Sequence, residues 1–123
     1  MSIAAAQASK FYERVVRDRV VFTLEDDGNF LIFPVHGVDV IPFWSSRSHL
    51  EKVILSHPKF GGCQVAESTL EQFLEKTLPQ LQEEKIHVGV NWSGVRLTGY
   101  DVSVEDLLAN LQYWLGKSKN AVA

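Results

Sequence analysis

Hydrophobic positions along the chain change period several times, and each change marks an element. Ala4, Ala8, Phe11, Tyr12 and Val15 recur at helical spacing around Glu13, Arg14 and Arg17, so the chain opens on an amphipathic helix. VVFTL at 20–24, NFLIFPV at 29–35 and VDVIPFW at 38–44 are rich in β-branched and aromatic residues. The turn signals Asp26-Asp27-Gly28 and His36-Gly37 separate them, which predicts a three-stranded antiparallel meander. After Trp44 the period turns helical through Leu50, Val53 and Ile54 and stops at His57-Pro58, where proline restricts the residue before it.

Gly61-Gly62 opens a loop, and 64–67 reads as a brief strand. Leu70, Phe73, Leu74, Leu78 and Leu81 then give a third helix. Pro79 removes a backbone donor inside it, so a kink or restart is expected near 77–79. The alternation from 86 to 92 puts Ile86, Val88, Val90 and Trp92 on one strand face and His87, Gly89 and Asn91 on the other. Ser93-Gly94 turns the chain and 96–101 reads as a short edge strand. Val104, Leu107, Leu108, Leu111 and Leu115 form a last helix with Gly116 as its expected stop. The order α-β-β-β-α-(β)-α-β-α predicts a single α+β domain at 1–116, with a flexible tail at 117–123. Its sheet is expected to be mixed and mostly antiparallel, with four to five strands packed by helices.

Composition narrows the function classes. The chain has 123 residues, of which 46% are hydrophobic and 22% charged, as a globular domain with one core requires. Twelve basic against fifteen acidic residues give a net charge of -3, without the basic cluster that nucleic acid binding demands. The N-terminus carries neither a secretory leader pattern nor a membrane-spanning run. The lone Cys63 suits a reducing compartment, so a cytoplasmic location is expected. His36, His49, His57 and His87 lack metal-ligand spacing, and no nucleotide or acyl-transfer motif occurs, so no metal, cofactor or catalytic residue is assigned. Cys63 and His87 have no spacing that unites them as nucleophile and base.

Three serine-led tetrads, Ser48 to Glu51, Ser68 to Glu71 and Ser103 to Asp106, read as helix caps. The remaining candidate chemistry lies where two Trp-Ser pairs end strands, at Trp44-Ser45 and Trp92-Ser93. If those strands run parallel, both pairs sit at one sheet edge, where open sheets place binding sites. Ser46 and Arg47 beside the first pair, and Asn91 and Arg96 beside the second, complete a candidate binding cluster. The plain alternative is that both tryptophans fill the core. Which way they face decides between the two.

The runs FPVHGVDVIPFWSSRSHLEK, LEQFLEKTLPQLQEEKIHVGVNWSG and RLTGYDVSVEDLLANLQYWL resemble the bacterial family known as domain of unknown function 2750 over nearly the whole chain. The most specific pieces are F-W-S-S-R at 43–47, G-V-N-W-S-G at 89–94 and T-G-Y-D at 98–101. The resemblance implies a small bacterial α+β protein and brings no catalytic residues. The chain is more faintly similar to SseB-type secretion-associated domains, with N-W-S-G standing where those have N-P-G. The leading functional expectation is a non-enzymatic protein-interaction domain of adaptor or immunity type, with homodimerisation as one form of it. The alternative is a small-ligand or anion-binding domain, with or without catalysis, at the Trp, Ser and Arg cluster.

Overall fold

The computed structural model describes residues 2–122, and their side chains as far as residue 118. Helix α1 (Ile3–Asp18) leads into β1 (Val20–Asp26), β2 (Asn29–Phe30), β3 (Phe33–Val35) and β4 (Val38–Trp44). Helix α2 (Arg47–Ser56), a 3-10 turn (Pro58–Phe60) and β5 (Gln64–Thr69) follow. Then come α3 (Leu70–Gln72), a π-helical turn (Phe73–Thr77), α4 (Leu78–Glu83), β6 (His87–Val90), β7 (Asp101–Val102) and α5 (Val104–Val122).

The α+β class holds, with seven strands in one mixed sheet of path β2-β1-β4-β6-β7. Strand β5 pairs with β1 over six residues, from Val20↔Thr69 to Glu25↔Gln64. The expected meander is there, but its middle strand is split: β2 pairs with β1, while β3 pairs with β4. Between the two pieces β1 and β4 meet directly, Phe22 opposite Trp44 and Thr23 opposite Phe43. Both hairpin turns are tight. Asp27 and Gly28 have φ of 53 and 82°, His36 and Gly37 have 49 and 82°, the sign a type I′ hairpin demands at both central residues.

Pro42 sits inside β4, where a proline is unexpected. Its carbonyl accepts from Thr23 Oγ1 at 2.7 Å, on the β1 side of the strand. A residue's nitrogen and carbonyl leave a strand toward the same side, so the missing N–H faces the gap where β3 has ended and β1 pairing has just begun.

Alternation along β4 sends its side chains to two cores. Ile41 and Phe43 join α1, α3, α4 and α5 on one face; Val40 and Trp44 join Leu50 and Val53 of α2, Phe60, Trp92 and Leu97 on the other. The sheet is therefore covered on both sides, and α2 alone among the longer helices takes the second face.

Several expected boundaries move. Helix α2 is capped by Ser46, whose hydroxyl accepts from the His49 N–H at 3.3 Å, so Ser48 and Glu51 are not the capping box. The next box lies one residue on: Thr69 accepts from the Gln72 N–H and Gln72 returns the bond, each at 3.0 Å, in place of Ser68 and Glu71. Ser103 does cap α5, accepting from the Asp106 N–H at 3.1 Å. The irregularity expected near Pro79 appears as the π turn at 73–77, which widens the helix just where proline withholds a donor. Helix α5 continues through Gly116 to Val122, because glycine weakens a helix without forcing it to end. The expected tail at 117–123 thus overlaps that helix, and Ala123 lies outside the described residues. The 96–101 edge strand shrinks to a Ser93↔Thr98 bridge and β7.

Candidate functional site

Strands β4 and β6 are the parallel pair, in register from Val40↔His87 to Phe43↔Val90. The two Trp-Ser pairs therefore emerge side by side at the carboxyl edge, as the conditional expectation required. What the edge then does with them differs from the sequence pattern. Asn91 stands at φ 50°, a left-handed conformation that asparagine tolerates better than most residues. The strand's alternation ends there, and Trp92 folds back onto the face opposite Ile86, Val88 and Val90. Its indole lies over Gly89, where an added Cβ would come within 2.5 Å of the ring, and beside Gly99, where one would come within 2.6 Å. Only glycines leave that slot open.

Both tryptophans face the core: Trp44 is 0% and Trp92 4% exposed. Their polar atoms are already used. Trp44 Nε1 donates to the Trp92 carbonyl at 2.9 Å, and Trp92 Nε1 donates to the Tyr100 carbonyl at 3.0 Å. The Asn91 Oδ1 accepts from the buried Ser45 N–H at 2.9 Å. Its Nδ2 donates to Ser45 Oγ at 3.1 Å and to the Gln7 carbonyl of α1 at 3.3 Å. Gln7 Nε2 reaches Ser93 Oγ. These bonds form a clasp that ties β4, β6, the 91–100 loop and the start of α1 together.

The remaining members of the cluster separate. Ser46 caps α2. Arg47 turns away along the same face toward β1 and β5, 3.2 Å from Glu67 of β5 and over the Phe22 ring at 5.6 Å. Arg96 is exposed on the loop. The three specific sequence pieces thus meet in space, but mainly as packing and hydrogen bonding rather than as the lining of a cavity.

Beside the clasp lies an open groove of about 390 Å³, between one face of α2 and the loop after Trp92. His49, Lys52, Val53 and Ser56 supply the helix side, Ser93, Gly94 and Val95 the loop side, with His57 between. The loop is braced. Ser93 and Thr98 exchange two backbone bonds of 3.0 Å, Leu97 N–H bonds the Gly94 carbonyl at 3.1 Å, and Leu97 is anchored in the core. At its tip Val95 is 95% exposed.

His57 is 8% exposed and fastens this loop to α2: Nδ1 lies 2.9 Å from the Val53 carbonyl and Nε2 3.1 Å from the Val95 carbonyl. The His49 imidazole, half-buried one turn from Lys52, is held below its ordinary pKa by burial first and then by the charges of Arg14 and Lys52. Neither histidine was marked as a site by sequence spacing. His57 had one signal, its place just before the helix-breaking Pro58, whereas Gln7 and Val95 had none.

Two other features lie apart from the clasp. A cavity of about 410 Å³ opens between the β1–β2 hairpin and α4, where Lys76 shares the lining with Glu25 and Glu84; it contains no clasp residue. His87 Nδ1 lies 3.2 Å from Asp101 Oδ2 across β6 and β7, a partly exposed pair. Among the described residues no three His, Cys, Asp or Glu side chains are grouped to hold a metal ion, and no helix is long and apolar enough to cross a membrane.

Fold and site together define a small α+β domain whose sheet edge is locked by a tryptophan and asparagine clasp beside an open groove. The chain belongs to the DUF2750 family: the family model described as "Protein of unknown function (DUF2750)" matches residues 8–111. The match spans from α1 into α5 and includes every clasp residue except Gln7. No curated protein matches the chain.

Proposed function

We propose that this domain is a protein-interaction module, whose docking face is the groove between α2 and the braced 93–98 loop. The burial of Trp44 and Trp92 carries this reading, because it removes the aromatic lining that a small-ligand pocket at the sheet edge would need. The adjoining groove is open and has an apolar wall in Val53 and Val95, the kind of concavity that receives a segment of another protein. Within this reading Trp44, Ser45, Asn91 and Trp92 set the groove's shape, and Ser93 is the clasp residue that also lines it. Ser46 caps the helix that forms one wall, while Arg47 and Arg96 lie outside the lining.

A photo-cross-linking residue placed at Val95 in the native cell tests the reading. A discrete protein adduct is expected there, and it should be absent when the cross-linker is moved to exposed Ala109 on the opposite side of the sheet. Equal labelling at both positions, or none at Val95 in a normally folded protein, would refute it. A self-adduct would identify the partner as a second copy of the chain.

A further inference from the structure

The groove's lining differs in charge from the chain as a whole. Acidic residues outnumber basic ones by fifteen to twelve in the sequence, yet no carboxylate lines the groove. Lys52 stands exposed on its helix wall, and His49 sits one turn earlier. His57 holds both ring nitrogens within hydrogen-bond distance of backbone carbonyls, Val53 and Val95. Arg14, from α1, is near enough to act on His49 with the same sign as Lys52. Lys52 and Arg14 thus bring positive charge to this edge, and the apolar part of the lining is Val53 and Val95.

We infer that the segment received by this groove is acidic, a short stretch of a partner protein in which glutamate or aspartate flanks an apolar side chain. The apolar residue lies against Val53 and Val95, and the carboxylates stand over Lys52 and the His49 edge. Opposed charge at the rim of an interface selects partners and sets the salt dependence of binding, whereas the apolar contact supplies the desolvated centre. This inference rests on the interaction reading above and adds the partner's chemistry to it.

The test uses the full chain, uniformly ¹⁵N-labelled, titrated with a short synthetic peptide alternating leucine and glutamate and with its glutamine and lysine counterparts. Amide shifts at Lys52, Ser93 and Val95 are expected with the glutamate peptide and not with the lysine one. Lys52→Glu, at an exposed position, should keep the melting temperature and weaken glutamate-peptide binding about three- to tenfold. Raising ionic strength from about 0.05 to 0.5 M should weaken it as well.

Equal binding of the glutamine peptide, or indifference to Lys52→Glu, overturns the acidic-segment inference. So does glutarate alone binding as tightly as the peptide, since the groove would then be a small-carboxylate site. None of these peptide results decides the interaction reading, which stands or falls on the Val95 cross-link.

Discussion

Gly89→Ala puts one methyl group into the slot that holds Trp92. That methyl would stand 2.5 Å from Trp92 Cε2 and 2.7 Å from Cζ2 and Nε1, well inside van der Waals contact. The ring cannot simply retreat. Its Nε1 is bonded to the Tyr100 carbonyl at 3.0 Å, its own carbonyl accepts from Trp44, and the Gly99 backbone flanks it. Overpacking of this kind costs about 1–3 kcal/mol. Forcing the indole off its acceptor leaves a nearly buried donor unpaired, for about 1–3 kcal/mol more. A loss of about 2–6 kcal/mol is a large share of the roughly 5–15 kcal/mol that holds a domain folded. At about 3–5 °C per kcal/mol for a chain of this size, it should lower the melting temperature by roughly 6–30 °C.

Urea unfolding followed by circular dichroism measures this loss, with Gly62→Ala as the control. Gly62 has no atom within 4 Å of an added Cβ and no positive φ, so its substitution should stay within about 0.5 kcal/mol of the parent. Trp92→Phe supplies the second arm: the smaller ring should cost less in the Gly89→Ala background than in the parent, with a coupling of at least about 1 kcal/mol. If Gly89→Ala unfolds at the same urea concentration as Gly62→Ala, the slot is not a constraint and the account of Trp92 is wrong.

Three further outcomes are expected. Asn91→Ala strips the acceptor from the buried Ser45 N–H and should cost about 2–3 kcal/mol by urea unfolding, with Asn91→Gly no better despite easing the backbone; recovery by glycine would show that φ, not the amide, matters. His57→Phe keeps the ring volume but removes the ring N–H that bonds one of the Val53 and Val95 carbonyls. Faster amide exchange in the 93–98 loop than in β1 would confirm the fastening, and unchanged protection would refute it. For His49 the folded state disfavours the proton, so acidification below the unfolded value of about 6.5 loads the unfolded chain first and stability falls with pH there. A His49→Gln variant should lose part of that slope, and an identical slope would dismiss the assignment.

Most of the framework was legible because local pattern governs it. The opening helix, the two hairpin turns at Asp27-Gly28 and His36-Gly37, and the Leu70 to Leu81 helix all follow from periodicity and turn chemistry. Pairing that depends on distant neighbours was less so. NFLIFPV looks like one strand, but β1 and β4 claim each other at Phe22 and Trp44, so it serves each with one end. The face of Trp92 was misread for a different reason: alternation assumes extended backbone, and one left-handed residue at Asn91 cancels it. Caps slipped because neighbouring hydroxyls compete, Ser46 with Ser48 and Thr69 with Ser68, and the winner is set by where the preceding strand releases the chain. The two Trp-Ser pairs meet at one edge because β4 and β6 run parallel, but the sequence carried no sign that the indoles would bond to backbone rather than open to a ligand.

The clasp also bears on the order of folding. The β1 to β4 hairpins join segments close in sequence, whereas β4 meets β6 only after α2, β5, α3 and α4 have been laid down between them. Closing so long a loop is entropically slow, which places the clasp late on the folding route. Weakening it, as Trp44→Phe does by deleting the bond to the Trp92 carbonyl, should then hasten unfolding far more than it retards folding. The clasp would act as a latch on a finished molecule, setting how long the domain stays closed rather than how quickly it is made.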